Sequence, residues 1–93
     1  MAWDRDAARA LGEEIRALRR AAHLSQEALA YRAGITKNQV QLIEAGRGSA
    51  RESGPISNPR MKTLFGLAEA LEIEPSELLA TIHENAASTN VEG

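Results

Sequence analysis

Apolar residues recur along the chain with helical rather than strand periodicity. Leu11, Ile15, Leu18 and Ala22 follow one another at spacings of four, three and four, which draws a single stripe down one face of a helix. The pattern predicts a first helix over residues 6–22, with Arg16 and Arg20 turned away from the stripe. Ser25 is placed to cap a second helix over residues 26–32, apolar through Leu29 and Ala33, with the small Ala30 where another helix must cross closely. Gly34 allows the left-handed backbone that ends many helices, and Ile35 plugs the corner behind it. Thr36 and Gln39 form a Thr-x-x-Gln capping box for a third helix over 37–45, which returns Val40 and Ile43 to the core and stops at Gly46.

The next twelve residues, RGSARESGPISN (47–58), are rich in Gly, Ser and Pro and read as a loop, which as a flexible chain would span roughly 18–20 Å. Such a loop either reaches a binding partner or a second subunit, or is a disordered surface insertion. Asn58 as N-cap and Pro59 at the first helical position predict the start of a fourth helix, with Leu64, Leu67, Ala68 and Leu71 as its buried stripe. Ile73 turns the chain, and Pro75 opens a fifth helix carrying Leu78, Leu79 and Ile82. No strand alternation, internal repeat or heptad run is present. The expectation is an all-α, compact five-helix domain over residues 1–83, followed by a polar, frayed tail over 84–93.

Within it, residues 26–45 form two short helices about a tight turn. Such a helix-turn-helix presents its second helix to the major groove of DNA. Ninety-three residues supply one small core with a thin stability margin, which a partner subunit would relieve. The chain has no cysteine, so disulfides and thiolate metal sites are excluded, and an intracellular, cytoplasmic setting fits. No apolar run is long enough to span a membrane, and the charged start MAWDRDAARA does not resemble a signal peptide. His23 and His83 are far apart with no carboxylate set at ligand spacing, so neither a metal nor a cofactor is expected. The chain lacks a nucleophile paired with a base and a phosphate-binding glycine motif between strand and helix, so no enzyme is expected.

The net charge of −2 conceals an asymmetry. Residues 1–47 hold eight Arg/Lys against six Asp/Glu, and residues 48–93 hold three against seven. The basic balance accompanies the helix-turn-helix, and the acidic balance lies in the half expected to meet protein or water.

The string LGEEIRALRRAAHLSQEALAYRAGITKNQVQLIEAGR, with NPRMKTLFGLAEALEIEPSELL after it, resembles the phage-repressor (Cro/XRE-type) helix-turn-helix family from Leu11 to Leu79. Leu24-Ser25-Gln26, Leu29-Ala30, Ala33-Gly34-Ile35, Ile43-Glu44 and Gly46 all fall at family spacing, and the link from Gly46 to Asn58 is longer than the family's usual one. The resemblance implies a double-stranded DNA operator as ligand, a homodimer on a palindromic site, and a regulator of transcription.

On a wheel of about 100° per residue, Val40 and Ile43 set the core direction of the third helix, and Asn38, Ala45, Gln41 and Leu42 lie opposite, flanked by Lys37 and Gln39. Lys37, Asn38, Gln39, Gln41 and Leu42 are therefore the candidate base readers: amides pair with adenine, Lys donates to guanine, and Leu meets a thymine methyl. The competing reading is a solvated polar face. Gln26 in the first turn of its helix, Thr36 at the next helix start, and Arg47, Arg51, Arg60 and Lys62 are candidates for the phosphate backbone. Arg19 and Glu44 stand on the shoulders of their helices' buried faces, where an ion pair is partly shielded; the family bridges the same spot. Met61 and Phe65 give the fourth helix a second apolar edge, and Phe65, Leu79 and Ile82 are candidates for a two-fold interface or for closing the monomer's own core. Trp3 is expected against a neighbouring helix or the partner.

The resemblance embraces controller proteins of restriction–modification systems, small phage repressors and antitoxins, and the sequence does not choose among them. An antitoxin would neutralise a partner protein through its acidic half or tail and repress its own operon.

Overall fold

The computed structural model describes residues 2–51 and 53–80. It is all-α: α1 (Arg5–Ala21), α2 (Gln26–Ala33), α3 (Lys37–Ala45), α4 (Met61–Ala70) and a fifth helix, α5, described over 75–80. No strand occurs among the described residues; one isolated antiparallel bridge joins Arg47 and Ile56.

The starts of α1, α2 and α3 follow from local chemistry. The Asp4 side chain accepts the Ala7 N–H, Ser25 accepts that of Ala28, and Thr36 accepts that of Gln39, so an otherwise orphaned amide is satisfied at each N-terminus. The ends of α1 to α4 share one device. A residue in the left-handed region (His23, Gly34, Gly46 or Glu72) reverses the chain. The next N–H then donates five residues back: Leu24 to Arg19, Ile35 to Ala30, Arg47 to Leu42 and Ile73 to Ala68. At three of the four ends that next residue is apolar and packs against the core.

The core gathers Leu11 and Ile15 of α1, Leu29 of α2, Val40 and Ile43 of α3, Leu67 and Leu71 of α4, and Leu78 of α5. α1 packs on α3, and α2 packs on both α3 and α4. Two glycines set the spacing. A Cβ on Gly12 of α1 would lie 2.4 Å from the Ile43 carbonyl oxygen and 2.6 Å from that of Glu44, so the end of α3 rests directly on bare backbone. Gly66 does the same for α4 against the Ala33 carbonyl of α2.

The structure corrects three expectations. The α1 stripe begins earlier, at the buried Ala7 and Ala8, and does not include Ala22, which is the exposed C-cap where the chain turns. Asn58 does not cap α4 and Pro59 is not its first residue: α4 starts at Met61, with an extended Arg60 as N-cap and no side-chain cap. The reason lies upstream. Buried Ser57 is held by its N–H to the Gly46 carbonyl (3.0 Å) and by its carbonyl from the Trp3 indole N–H (2.8 Å), and the chain stays extended beyond it. The 47–58 loop is therefore not an open span. Gly48 N–H donates to Pro55 O (2.7 Å) beside the Arg47–Ile56 bridge, so its two ends are pinned together at the end of α3. Ile82, His83 and the 84–93 tail lie outside the described residues.

Candidate nucleic-acid interface

α3 divides its residues between two directions. Val40, Ile43 and Glu44 are buried, while Lys37, Asn38, Gln41 and Ala45 are exposed. The side chains of Lys37, Asn38 and Gln41 make no hydrogen bond to another described residue, so their donors and acceptors are uncommitted. Leu42 is half-buried and Gln39 lies beside it, on the flank rather than the outer face.

Gln39 is already engaged. Its Oε1 accepts the Thr36 N–H (2.9 Å) and the Thr36 hydroxyl (3.2 Å), while its own N–H donates to Thr36 Oγ1 (3.1 Å). A bidentate amide–adenine pair needs both the oxygen and the nitrogen of the amide. As long as the capping box holds, Gln39 offers DNA only its N–H groups.

The inward side of α3 is locked by one carboxylate. Glu44 has no exposed side-chain surface, yet every oxygen is satisfied. Oε2 accepts from Arg19 Nε at 2.6 Å; Oε1 accepts from Arg19 Nη2 (3.0 Å), Gln26 Nε2 (3.0 Å) and, more distantly, Arg16 Nε (3.4 Å). Arg19 also donates through Nη1 to the Leu24 carbonyl (2.9 Å), fixing the α1–α2 turn. Burial pushes the Glu44 carboxyl up, but the Arg19 and Gln26 hydrogen bonds and the Arg19 charge outweigh it and hold the group below the usual carboxylate range. The hydrogen bond to Glu44 outweighs desolvation in Arg19 and raises its guanidinium pKa. The result is a three-helix clamp that fixes the pitch of α3 against α1 and α2.

Two of its members lie beyond what the helix wheel predicts. Arg16 points away from the α1 stripe on the helix wheel, but its long side chain, 44% exposed, reaches round to Glu44. Gln26, a backbone candidate, spends one amide N–H on Glu44. The second N–H of that amide is not needed by the clamp, and the residue stands at the first position of α2, where the helix dipole favours an anion.

Beside α3 lies an open groove of about 580 Å³, floored by Ile35, Leu42 and Ile43 and walled by the returning loop and the start of α4. Arg47, Arg60 and Lys62 all line it, and its described lining holds no Asp or Glu. Of the four cations expected at the DNA backbone, three thus converge; Arg51 is exposed on the loop and is not part of this lining. Thr36 is exposed, with its hydroxyl engaged in the capping box. Phe65 and Leu79 are 54% and 43% exposed. No group of His, Cys, Asp and Glu suited to a metal ion occurs among the described residues, and no described helix is long and apolar enough to cross a membrane.

A rigidly seated helix with an uncommitted polar face, flanked by a cation-lined groove, is the arrangement of a helix-turn-helix DNA-binding protein. A family model for the helix-turn-helix domain matches residues 10–80, and the chain belongs to that family, as a transcriptional regulator of the Cro/XRE type. Among solved structures it is similar to the restriction-modification controller protein C.AhdI from Aeromonas hydrophila: 35% identity, 76% of this chain and 94% of that one covered, TM-score 0.65. Comparison with curated proteins finds no match.

Proposed function

We propose that the protein binds a palindromic operator as a homodimer, with α3 in the major groove. The observation that carries this is the outer face of α3: Lys37, Asn38 and Gln41 are exposed, polar and unengaged on a helix whose other side is immobilised. Asn38 and Gln41 supply bidentate amides for adenine, Lys37 donates to guanine acceptors, and Leu42 and Gln39 contribute from the flank. Gln26, Thr36, Arg47, Arg60 and Lys62, with Arg51 from the loop, hold the phosphates and set the register. The exposed Met61, Phe65 and Leu79 supply an apolar surface for a second copy. Similarity to a restriction-modification controller favours that class of regulator over a phage repressor or an antitoxin.

Selection of bound duplexes from random sequence tests the reading. The expected outcome is a two-fold repeated motif with half-sites about one helical turn apart, roughly 34 Å between recognition helices. Sedimentation equilibrium at micromolar protein should give a dimer, and Phe65→Glu should give a monomer. A single asymmetric motif, bound by a species that sediments as a monomer with and without DNA, removes both the dimer and the palindrome.

A further inference from the structure

We propose that Trp3 is a positioning residue for DNA binding: through Ser57 its indole fixes the segment that sets Arg60 and Lys62 on the wall of the groove beside α3. The two ends of this link are 54 residues apart in the chain, and the bond between them is short, Trp3 Nε1–H to Ser57 O at 2.8 Å. The donor is well rooted, since the next residue, Asp4, caps α1 through its side chain. The acceptor is 3% exposed, so water is a poor substitute for the indole.

Ser57 is the last anchored residue before α4. Its N–H is tied to the Gly46 carbonyl at the end of α3, and its carbonyl is tied to the N-terminal arm. Residues 58–60 then run to α4 with Pro59 lacking an N–H and Arg60 extended (φ −72°, ψ 156°) without a side-chain cap. The path of this short segment is inherited from Ser57 at one end and α4 at the other. Ser57, Asn58, Arg60 and Lys62 all line the same groove as Gln39 and Leu42. If the indole N–H is removed, the buried carbonyl must turn to find another donor, and the groove wall turns with it. Trp3 touches no DNA in this account; it acts through the placement of two cations.

The inference rests on the proposed reading of Arg60 and Lys62 as phosphate contacts, and the test separates the two. Affinity is measured against salt on a mixed-sequence duplex of about three helical turns, and on a duplex obtained by selection with the protein. The Arg60→Ala/Lys62→Ala double variant should flatten the slope of log affinity on log salt by about two phosphate contacts for each bound protomer, about four for a dimer. Trp3→Phe, which keeps a ring and loses the donor, should weaken both duplexes about five- to tenfold near 0.1 M salt and flatten the slope by about one contact or more for each bound protomer, with the preference for the selected duplex unchanged. Added to the double variant, Trp3→Phe should flatten the slope no further, an epistasis that a general loss of stability does not produce. If the double variant flattens the slope and Trp3→Phe does not, Trp3 is no positioning residue and the phosphate reading stands. If the double variant leaves the slope unchanged, the phosphate reading fails and the inference falls with it. A Trp3→Phe protein unfolded at the assay temperature by far-ultraviolet circular dichroism makes Trp3 a folding residue and overturns the proposal.

Discussion

The inner and outer faces of α3 are built on opposite rules. Inside, Glu44 is a fully buried charge with four donors on it, and Val40 and Ile43 are packed. Outside, Lys37, Asn38 and Gln41 are exposed to water and have no protein partner among the described residues. An ion pair in the interior contributes little net stability over an apolar replacement, but it tolerates very few geometries. An exposed amide contributes nothing to folding and keeps its hydrogen bonds for a ligand. The difference teaches that the helix is held by groups that cannot move so that it can present groups that are not yet bound. Stability and recognition should therefore separate cleanly by face.

The largest effect that tests this separation is at Glu44. Glu44→Ala strands the Arg19 guanidinium, 11% exposed, without its counter-charge, and should cost about 3–5 kcal/mol of unfolding free energy by urea denaturation. Against a total of roughly 5–15 kcal/mol for a domain of ordinary stability, that leaves little margin. A loss under 1 kcal/mol would mean the clamp closes without its carboxylate. The same group gives a pH signature. Its folded pKa lies below its unfolded value, so its stabilisation is complete above the usual carboxylate pKa of about 4.3 and is lost as pH falls through that value toward the lowered folded one. The stability gap between the wild type and Glu44→Gln should accordingly shrink on acidification below about pH 4.

Gly12 comes next. Gly12→Ala improves helix propensity in α1 but drives a methyl into the Ile43 and Glu44 carbonyls, which are backbone and cannot step aside without α3 moving. The expected net loss is about 1–3 kcal/mol, with DNA affinity falling too because the pitch of α3 changes. An unchanged melting temperature would show that α1 and α3 are less closely held than the inner face requires.

How far the sequence disclosed this arrangement depended on the range of each signal. The ends of α3 are written locally, in Thr36, Gln39 and Gly46, and the helix lies between them. The start of α4 also carries a local signal, Asn58-Pro59, but a contact from Trp3 through Ser57 overrides it, and no periodicity announces a bond between residues so far apart. The pinned base of the 47–58 loop is hidden for the same reason: Arg47 and Ile56 pair across a stretch whose composition reads only as irregular. Within the clamp, the wheel gave the Cβ directions of Arg19 and Glu44 but not the reach of Arg16 and Gln26, whose heads lie several bonds from the helix surface. Gly12 carries no such signal on its own: inside a helical pattern a glycine shows only as a propensity cost, and it takes the close approach of α3 to explain it.

On the outer face the expected effects move from folding to binding. Asn38→Ala should leave unfolding free energy within about 0.5 kcal/mol of wild type, since the side chain has no partner to lose. It should reduce specific binding by about 1–3 kcal/mol for each bound protomer and relax preference at the base position that the amide reads. Gln26→Ala is the control: by removing the proposed phosphate contact it should weaken selected and mixed duplexes by similar factors, with some loss of stability from the clamp. An Asn38→Ala protein that keeps both affinity and preference would move the reading face elsewhere on the helix.

The smallest and most discriminating change is at Gln39, which stands between the two faces. Its oxygen serves the capping box, so Gln39→Ala should cost about 0.5–1 kcal/mol of stability, and Gln39→Glu, which preserves the acceptor, should recover most of it. The same engagement limits what Gln39 can read. With its oxygen committed to Thr36 it cannot complete an adenine pair, so Gln39→Ala should alter base preference less than Asn38→Ala does in the same selection experiment. If instead Gln39→Ala changes preference as strongly as Asn38→Ala and costs no stability, the amide leaves its cap on DNA, and the boundary between holding and reading lies one residue further into the helix.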